Sequence, residues 1–404
     1  MKILLVNSVC GKGSTGKICG ALAEIAEKNG DKTLIAYGRG EAAEKYAERA
    51  VKIDTDGEVR LNGIKARVFD NEGFNAKAAT KRLLHLIENW RPDVIHLHNI
   101  HGYYLNVEML FRYLKTSYTG KVVWTLHDCW AFTGHCSYFD DPFCDKWKTG
   151  CGNCIRTRDY PKAFSDKSAR NYEKKKRVFT GVKNLTIVTP SQWLADLVKQ
   201  SFLKDYPIEV IHNGINLNVF RPTESDFRER FKIRENQFLL LGVAFDWGSR
   251  KGLDVFAELA RRLDKEKYKI VLVGTNDAVD KQLPKEIISI HRTQNQAELA
   301  EIYSAADLFV NPTREENYPT VNMEAIACGT PAVTFRTGGS PECISEKTGS
   351  VTGYNDIDAM QKEIERISET KSFSKEDCIT RAKEFDENVR FKEYLELYKT
   401  VLCL

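Results

Sequence analysis

A chain of 404 residues, 42% hydrophobic and 29% charged, is long for one domain, sufficient for two buried cores, and free of the bias of a disordered or fibrous protein. A net charge of only +4 excludes a global affinity for nucleic acid; the apolar run at Met1 to Val9 is too short for a signal peptide and no later run reaches membrane-span length, so a cytoplasmic protein is expected. Eleven cysteines, an odd number, point to thiols or metal ligands rather than a disulfide framework.

Lys2 to Asn7 reads as a buried first strand, and Cys10 to Gly16 as a glycine loop opening a helix with Ile18, Leu22, Ile25 and Ala26 at helical spacing. Gly11, Gly13 and Gly16 spell a dinucleotide fingerprint, yet the second strand, Thr33 to Tyr37, ends in Gly38-Arg39 without an acid to hold a ribose. Gly11 with Gly16-Lys17 spells most of a phosphate-binding loop, but Ile18 stands where a hydroxyl would bind magnesium. The neutral reading is a tight turn with close helix packing.

A helical pattern from Lys81 to Trp90 leads to a strand, Asp93 to His98; a helix, Val107 to Leu114, leads to another, Val122 to Leu126, followed by His127-Asp128. Residues at the carboxyl ends of parallel strands face the crevice of an open sheet, so His98 and His127 are placed to touch a substrate, while His96 reads as structural. Cys129, Cys136, Cys144, Cys151 and Cys154 then crowd one loop. The C-x-x-C pair Cys151/Cys154 with Cys136 and Cys144 fits a four-thiolate structural zinc, with His135 in reserve; reduced thiols bracing the loop are the alternative. An amphipathic helix is expected from Lys162 to Phe179, its Lys167, Arg170, Lys174, Lys175, Lys176 and Arg177 forming either a solvated face or a patch for anionic lipid headgroups.

The first domain is expected to end near Lys204, with a hinge over Pro207 to Pro222. A second doubly wound unit follows: strand Phe238 to Val243, a loop carrying Arg250-Lys251-Gly252, helix Leu253 to Leu263 and strand Ile270 to Val273. An apolar run, Leu308 to Val310, gives way to a loop with Glu315 and Glu316, and Pro319 opens a helix that Gly329-Thr330-Pro331 stops before the strand Ala332 to Phe335. The helix start should leave backbone N–H groups at Asn317, Tyr318 and Thr320 free for an anion, with Glu316 and Glu324 turned toward the same ligand. Gln361 to Leu402 is largely helical.

Asp307, Glu316 and Glu324, Gly329-Thr330-Pro331 and Gly338-Gly339-Ser340-Pro341-Glu342 together resemble the donor-binding signature of retaining glycosyltransferases of the GT-B fold, family 4. The resemblance implies that Glu324 holds the ribose of a nucleotide sugar and that Glu316 lies by the transferred sugar. It implies that Lys251 neutralises the departing diphosphate; the family's usual earlier arginine is replaced by Phe245, so that Arg250 is the substitute. His127 resembles the family's active-site histidine, and Gly13 to Gly16 the loop that closes over the donor diphosphate. The run His127 to Gly134 resembles a subset of exopolysaccharide enzymes with a cysteine-bearing insertion.

The chain is therefore expected to be α/β, two Rossmann-like domains in a GT-B arrangement: residues 1–204 with a Cys-rich insertion at 129–160, residues 205–384, and a helix over 385–404 returning to the first domain. The expected reaction moves a sugar from a nucleotide-diphosphate donor to an oligosaccharide or lipid-linked acceptor, without a catalytic metal and peripheral to an anionic membrane. A non-catalytic sugar-nucleotide binding protein is the alternative; an NAD-dependent oxidoreductase lacks its ribose-binding acid.

Overall fold

The computed structural model describes residues 1–403 and divides into two compact units, Met1–His212 with the chain from Arg390 onward, and Asn213–Val389. In the first, the strands β1 (Lys2–Asn7), β2 (Lys32–Tyr37), β3 (Ala50–Lys52), β4 (Val94–Leu97), β5 (Lys121–Thr125), β6 (Leu185–Thr189) and β7 (Ile208–Val210) form a parallel sheet in the order β3-β2-β1-β4-β5-β6-β7. The connections carry α1 (Gly13–Lys28), α2 (Asp56–Phe69), α3 (Lys77–Trp90), α4 (Val107–Thr116), α5 (Ser168–Phe179) and α6 (Gln192–Val198). A parallel sheet covered on both faces demands strands that are apolar at every position. Leu4 and Val6 accordingly enter one core with Trp124 and Phe179, while Ile3 and Leu5 enter the other.

The second unit repeats the design. It comprises α7 (Phe227–Arg230), β8 (Phe238–Val243), α8 (Leu253–Arg262), β9 (Tyr268–Val273), α9 (Asp277–Asp280), β10 (Ile288–Ile290), α10 (Gln296–Ala305), β11 (Leu308–Asn311), α11 (Thr320–Ala327), β12 (Ala332–Phe335), β13 (Gly349–Thr352), α12 (Ile357–Thr370) and α13 (Lys375–Ala382). Its sheet runs β10-β9-β8-β11-β12-β13, all parallel. Leu239 and Leu241 of β8 face one core and Leu240 the other. In each sheet the chain reverses direction of growth at one place, β1/β4 and β8/β11, where open α/β sheets hold ligands beyond the strand ends.

Of the boundaries that differ from the sequence expectation, two bear on the domain division and on the basic helix. Ile208–Val210 pairs with β6, so the strand read as part of a hinge is the edge of the first sheet, and the second unit begins at Asn213 rather than near residue 205. The helix expected from Lys162 starts only at Ser168, because the Asp70 carboxylate takes the N–H of Lys167 at 2.7 Å and Asp166 takes that of Ser168 at 2.9 Å, fixing the start there. The last helix, α14 (Glu387–Cys403), places Phe391, Tyr394, Leu395 and Tyr398 in a core of the first unit. There the Tyr398 hydroxyl lies 2.6 Å from His96 Nδ1 and the Tyr394 hydroxyl 3.1 Å from Thr125 Oγ1. Among the described residues no helix is long and apolar enough to cross a membrane.

Candidate functional site

In the second unit the site is built where β8 and β11 diverge. The turn after β8, Ser249–Lys251, ends at Gly252, whose φ of +74° and close approach to Pro312 exclude any side chain: a Cβ there would sit 2.5 Å from the Pro312 carbonyl oxygen. That approach brings Lys251 to the loop after β11, where its ammonium pairs with the Glu316 carboxylate. The two loops are clamped by Arg314, 6% exposed, whose guanidinium takes both Asp254 oxygens at 2.8 and 2.7 Å and reaches Asn355 Oδ1 at 2.9 Å. Arg250 accepts the Arg314 N–H on its carbonyl at 2.9 Å and leaves its side chain exposed. Neither Arg314 nor Asp254 was singled out by sequence; an arginine just before a glutamate pair was the only available sign.

Burial pushes the Glu316 carboxyl up, but the Lys251 charge and hydrogen bond, with Arg250, outweigh it and hold the group below the usual carboxylate range. Glu316 also takes the Asn317 N–H at 3.1 Å, so that donor, expected to be free, is engaged by the neighbouring carboxylate. Asn317 and Tyr318 are buried, and the Tyr318 carbonyl accepts from Asn213 at 3.2 Å. Glu324 sits in the second turn of α11, where Oε2 accepts from the buried Tyr303 hydroxyl at 3.1 Å.

Asp307 and Ser340 of the sequence signature make bonds that tie elements of the second unit together. Asp307 accepts from Arg228 and from the Leu239 N–H, joining α7, β8 and the start of β11. Ser340 lies fully buried and bonds Asn322 at 3.0 Å and Thr334 at 2.8 Å, while Asn322 accepts from Asn311 at 2.8 Å. This closed polar network locks α11 to both flanking strands, because each buried polar atom left unpaired would cost about 1–3 kcal/mol. At the ends of β9 and β10, Asp277, Asp280 and His291 are exposed and close enough to share a cation, the only such group of three among the described residues.

In the first unit, the ends of β4 and β5 assemble a histidine row. His98 Nδ1 lies 3.0 Å from His127 Nε2, with the rings stacked. Burial lowers the His127 pKa to about 4, against the Asp128 charge, and burial drives His98 well below its ordinary value, so both are neutral imidazoles near pH 7. His96 is engaged on both nitrogens, by Tyr398 and by Thr125, which is a packing role. Asp128 pairs with His101 at 2.9 Å, a residue the sequence reading passed over because it follows its strand by several positions. Gly13 is the first residue of α1 and is open to solvent; Gly16, one turn on, packs against Val9 and the Gly11 amide.

Cys136, Cys144, Cys151 and Cys154 line one cavity of about 20 Å³ together with His135, but no three of these ligand atoms lie within 4.8 Å of one another among the described residues. Gly134, whose Cβ would strike the Ser168 carbonyl, donates its N–H to Cys151 Sγ at 3.1 Å. His135 gives Nδ1 to the Asp70 carboxylate at 2.6 Å, and its buried Nε2 has no hydrogen-bond partner. The basic helix differs from its expectation. Lys175 is 1% exposed, lies 3.6 Å from the centre of the Trp130 ring, and donates to the Trp130 carbonyl at 2.7 Å; burial lowers its pKa to about 7. Lys174 is held by Glu108 at 2.8 Å.

Two family models match the chain, Glycosyltransferase Family 4 over residues 21–219 and Glycosyl transferases group 1 over residues 235–370. The chain is a GT-B-fold relative of the group 1 and family 4 glycosyltransferases. Among curated relatives it is 25% identical to the putative colanic acid biosynthesis glycosyl transferase WcaC of Escherichia coli (strain K12), over 66% of this chain and 65% of that protein. It is 30% identical to the N,N'-diacetylbacillosaminyl-diphospho-undecaprenol alpha-1,3-N-acetylgalactosaminyltransferase of Campylobacter jejuni, over 52% of this chain and 58% of that one. The matched stretches thus span less than two thirds of either relative. Among solved structures, a sucrose-phosphate synthase from Thermosynechococcus elongatus superposes with a TM-score of 0.74 at 17% identity, covering 100% of this chain and 99% of that one. Anabaena HepE in complex with UDP-glucose gives 0.68 at 16% identity, covering 99% and 100%. At these identities the structural matches speak for the fold.

Proposed function

We propose that this chain is a retaining glycosyltransferase that moves a sugar from a nucleotide-diphosphate donor to a lipid-linked or oligosaccharide acceptor, acting at a membrane surface. The observation that carries the reading is the Lys251–Glu316 pair, clamped by Gly252 and by the Arg314–Asp254 fork at the start of α11. A cation held in place before the donor arrives needs no reorganisation when charge develops on the leaving diphosphate. Arg250 and the N-terminus of α11 add positive potential there, and the family resemblance assigns Gly13 and Gly16 to contact with a diphosphate. The family resemblance assigns His127, a neutral imidazole, a hydrogen bond to the donor sugar, and assigns Glu316 a contact with the transferred sugar. The relatives named for transfer to a diphospho-undecaprenol sugar and for colanic acid synthesis, and the UDP-glucose complex of HepE, favour a nucleotide-sugar donor and a lipid-linked acceptor.

Glu324 is assigned to the donor ribose, oriented by Tyr303. A carboxylate that binds hydroxyls distant from the breaking bond serves ground and transition states alike, so Glu324→Ala is expected to raise the donor KM with little change in kcat. Titration of donor turnover checks this; a fall in kcat at unchanged KM would move Glu324 into the chemistry.

A structural zinc held by Cys136, Cys144, Cys151 and Cys154, or by His135 in place of one thiolate, requires these ligands, which line one cavity, to draw closer together than they lie in this structure. A carboxylate that fixes a histidine tautomer and leaves the far nitrogen unpaired is the arrangement metal-binding histidines adopt. Protein purified without added metal is expected to carry about one zinc per chain, lost in Cys151→Ser with a fall in thermal stability. Elemental analysis finding no zinc would leave the thiols as loop packing.

A further inference from the structure

We propose that the outward face of α2, with the adjoining residue Phe164, is a docking surface for an anionic lipid bilayer. The proposal deepens the lipid-linked acceptor reading by naming the surface that meets the membrane.

A helix on a parallel sheet normally turns its apolar residues inward. Helix α2 buries Asn62 and Ala66, yet exposes Leu61 (51%), Ile64 (60%), Val68 (43%) and Phe69 (59%). Leu61, Ile64 and Val68 follow the three- and four-residue spacing that places side chains on one face, so the helix carries an apolar stripe pointing away from the core. Phe164, 84% exposed, extends the stripe: its N–H donates to the Arg67 carbonyl at 2.8 Å, and Ser165 Oγ bonds the Val68 carbonyl at 3.2 Å, fixing this loop against the end of α2. Five large apolar side chains exposed on one helix and its neighbour exceed the scattered singles an ordinary surface carries.

The charges around the stripe choose the occupant. Arg60 and Arg67 flank it on one side and Lys65 on the other, all exposed, with Lys162 and Lys167 exposed on the adjoining loop. The acids of the helix lie in its first turn and are engaged, Asp56 by Lys52 and Glu58 by Arg82. An apolar stripe between rows of cations fits the plane between acyl chains and anionic headgroups. The expected basic helix α5 lacks this arrangement, since Lys175 is buried and Lys174 is paired.

Flotation of the full chain with phosphatidylcholine vesicles, alone and with roughly a third phosphatidylglycerol, tests the surface. Binding is expected only with the anionic lipid and weakens with salt. Arg60→Gln with Lys65→Gln is expected to weaken it by about fivefold per cation removed, and Ile64→Glu with Val68→Glu to abolish it. Donor hydrolysis in the absence of vesicles should match wild type in both variants, which separates failure of this surface from failure of the transferase reading. Unchanged binding in both variants, or its loss in Arg170→Gln with Lys176→Gln alone, would overturn the proposal. So would absence of binding by the wild-type chain, or a dimer seen by light scattering that Ile64→Glu dissociates, which would assign the stripe to a second copy.

Discussion

Replacing Lys251 with alanine is expected to lower turnover of the donor on the order of a hundredfold, the usual cost of removing one preorganised group that meets developing charge. The ammonium is held in place by Glu316 in the free chain, and its interaction with the donor diphosphate is expected to strengthen as the glycosidic bond breaks and negative charge gathers on the leaving group. Affinity for the nucleoside diphosphate should fall far less than kcat. The substitution also leaves the Glu316 carboxylate without its cation, which raises its pKa. Lys251→Arg and Glu316→Gln separate the two effects. The first keeps the charge and should retain part of the rate; the second keeps Lys251 and should lose rate only through the group beside the sugar. If Lys251→Ala raises KM and spares kcat, the lysine is a binding group and the account of the leaving group is wrong.

The second large effect is a loss of stability in mild acid. His127 is held at a pKa of about 4 by burial, against about 6.5 in an unfolded chain, and His96 and His98 are likewise lowered by burial. The unfolded chain therefore binds more protons than the folded one between those values, and stability rises with pH across that window. The contribution is intact above about 6.5 and is lost as pH falls toward 4, on the order of 3 kcal/mol for His127 alone. Glu316, depressed by Lys251, adds to the loss as pH drops below the ordinary carboxylate value. Thermal unfolding followed across this range should show a steep decline that His127→Asn makes shallower. A Tm that is flat from pH 7 to 4.5 would mean that the histidine row protonates without penalty.

Much of the fold was legible because its strands are short apolar runs punctuated by glycine, proline and polar residues, and their order follows from alternation with helices. Phe238–Val243 and Ala332–Phe335 have the bounds their sequences suggest. The Glu316–Glu324 spacing was equally plain, since eight positions across a loop and a helix start are a local matter. What escaped depends on contacts between distant segments. Arg314 meets Asp254 sixty residues away, and Asp70 meets both His135 and the start of α5 at separations of 65 and 97 residues; strand order creates those pairs, and periodicity does not encode them. Lys175 looked like one of a row of surface cations because its neighbours are charged; its burial is decided by Trp130, which supplies a ring face and a carbonyl. The sequence reading placed no helix over residues 56–69, and the apolar residues of α2 alone would in any case signal a buried side.

The most direct measurement is release of free nucleoside diphosphate from a panel of nucleotide sugars by the wild-type chain in excess EDTA, with and without saccharide or lipid-linked acceptors. The account predicts that one donor is cleaved with EDTA present, because Lys251, Arg250 and the start of α11 supply the counter-charge, and that acceptor accelerates the release. Full loss of release in EDTA, restored by magnesium or manganese, would contradict the metal-independent account and direct attention to Asp277, Asp280 and His291. Binding of a nucleotide sugar with no release under any condition would contradict the transferase itself and leave a sugar-nucleotide binding protein.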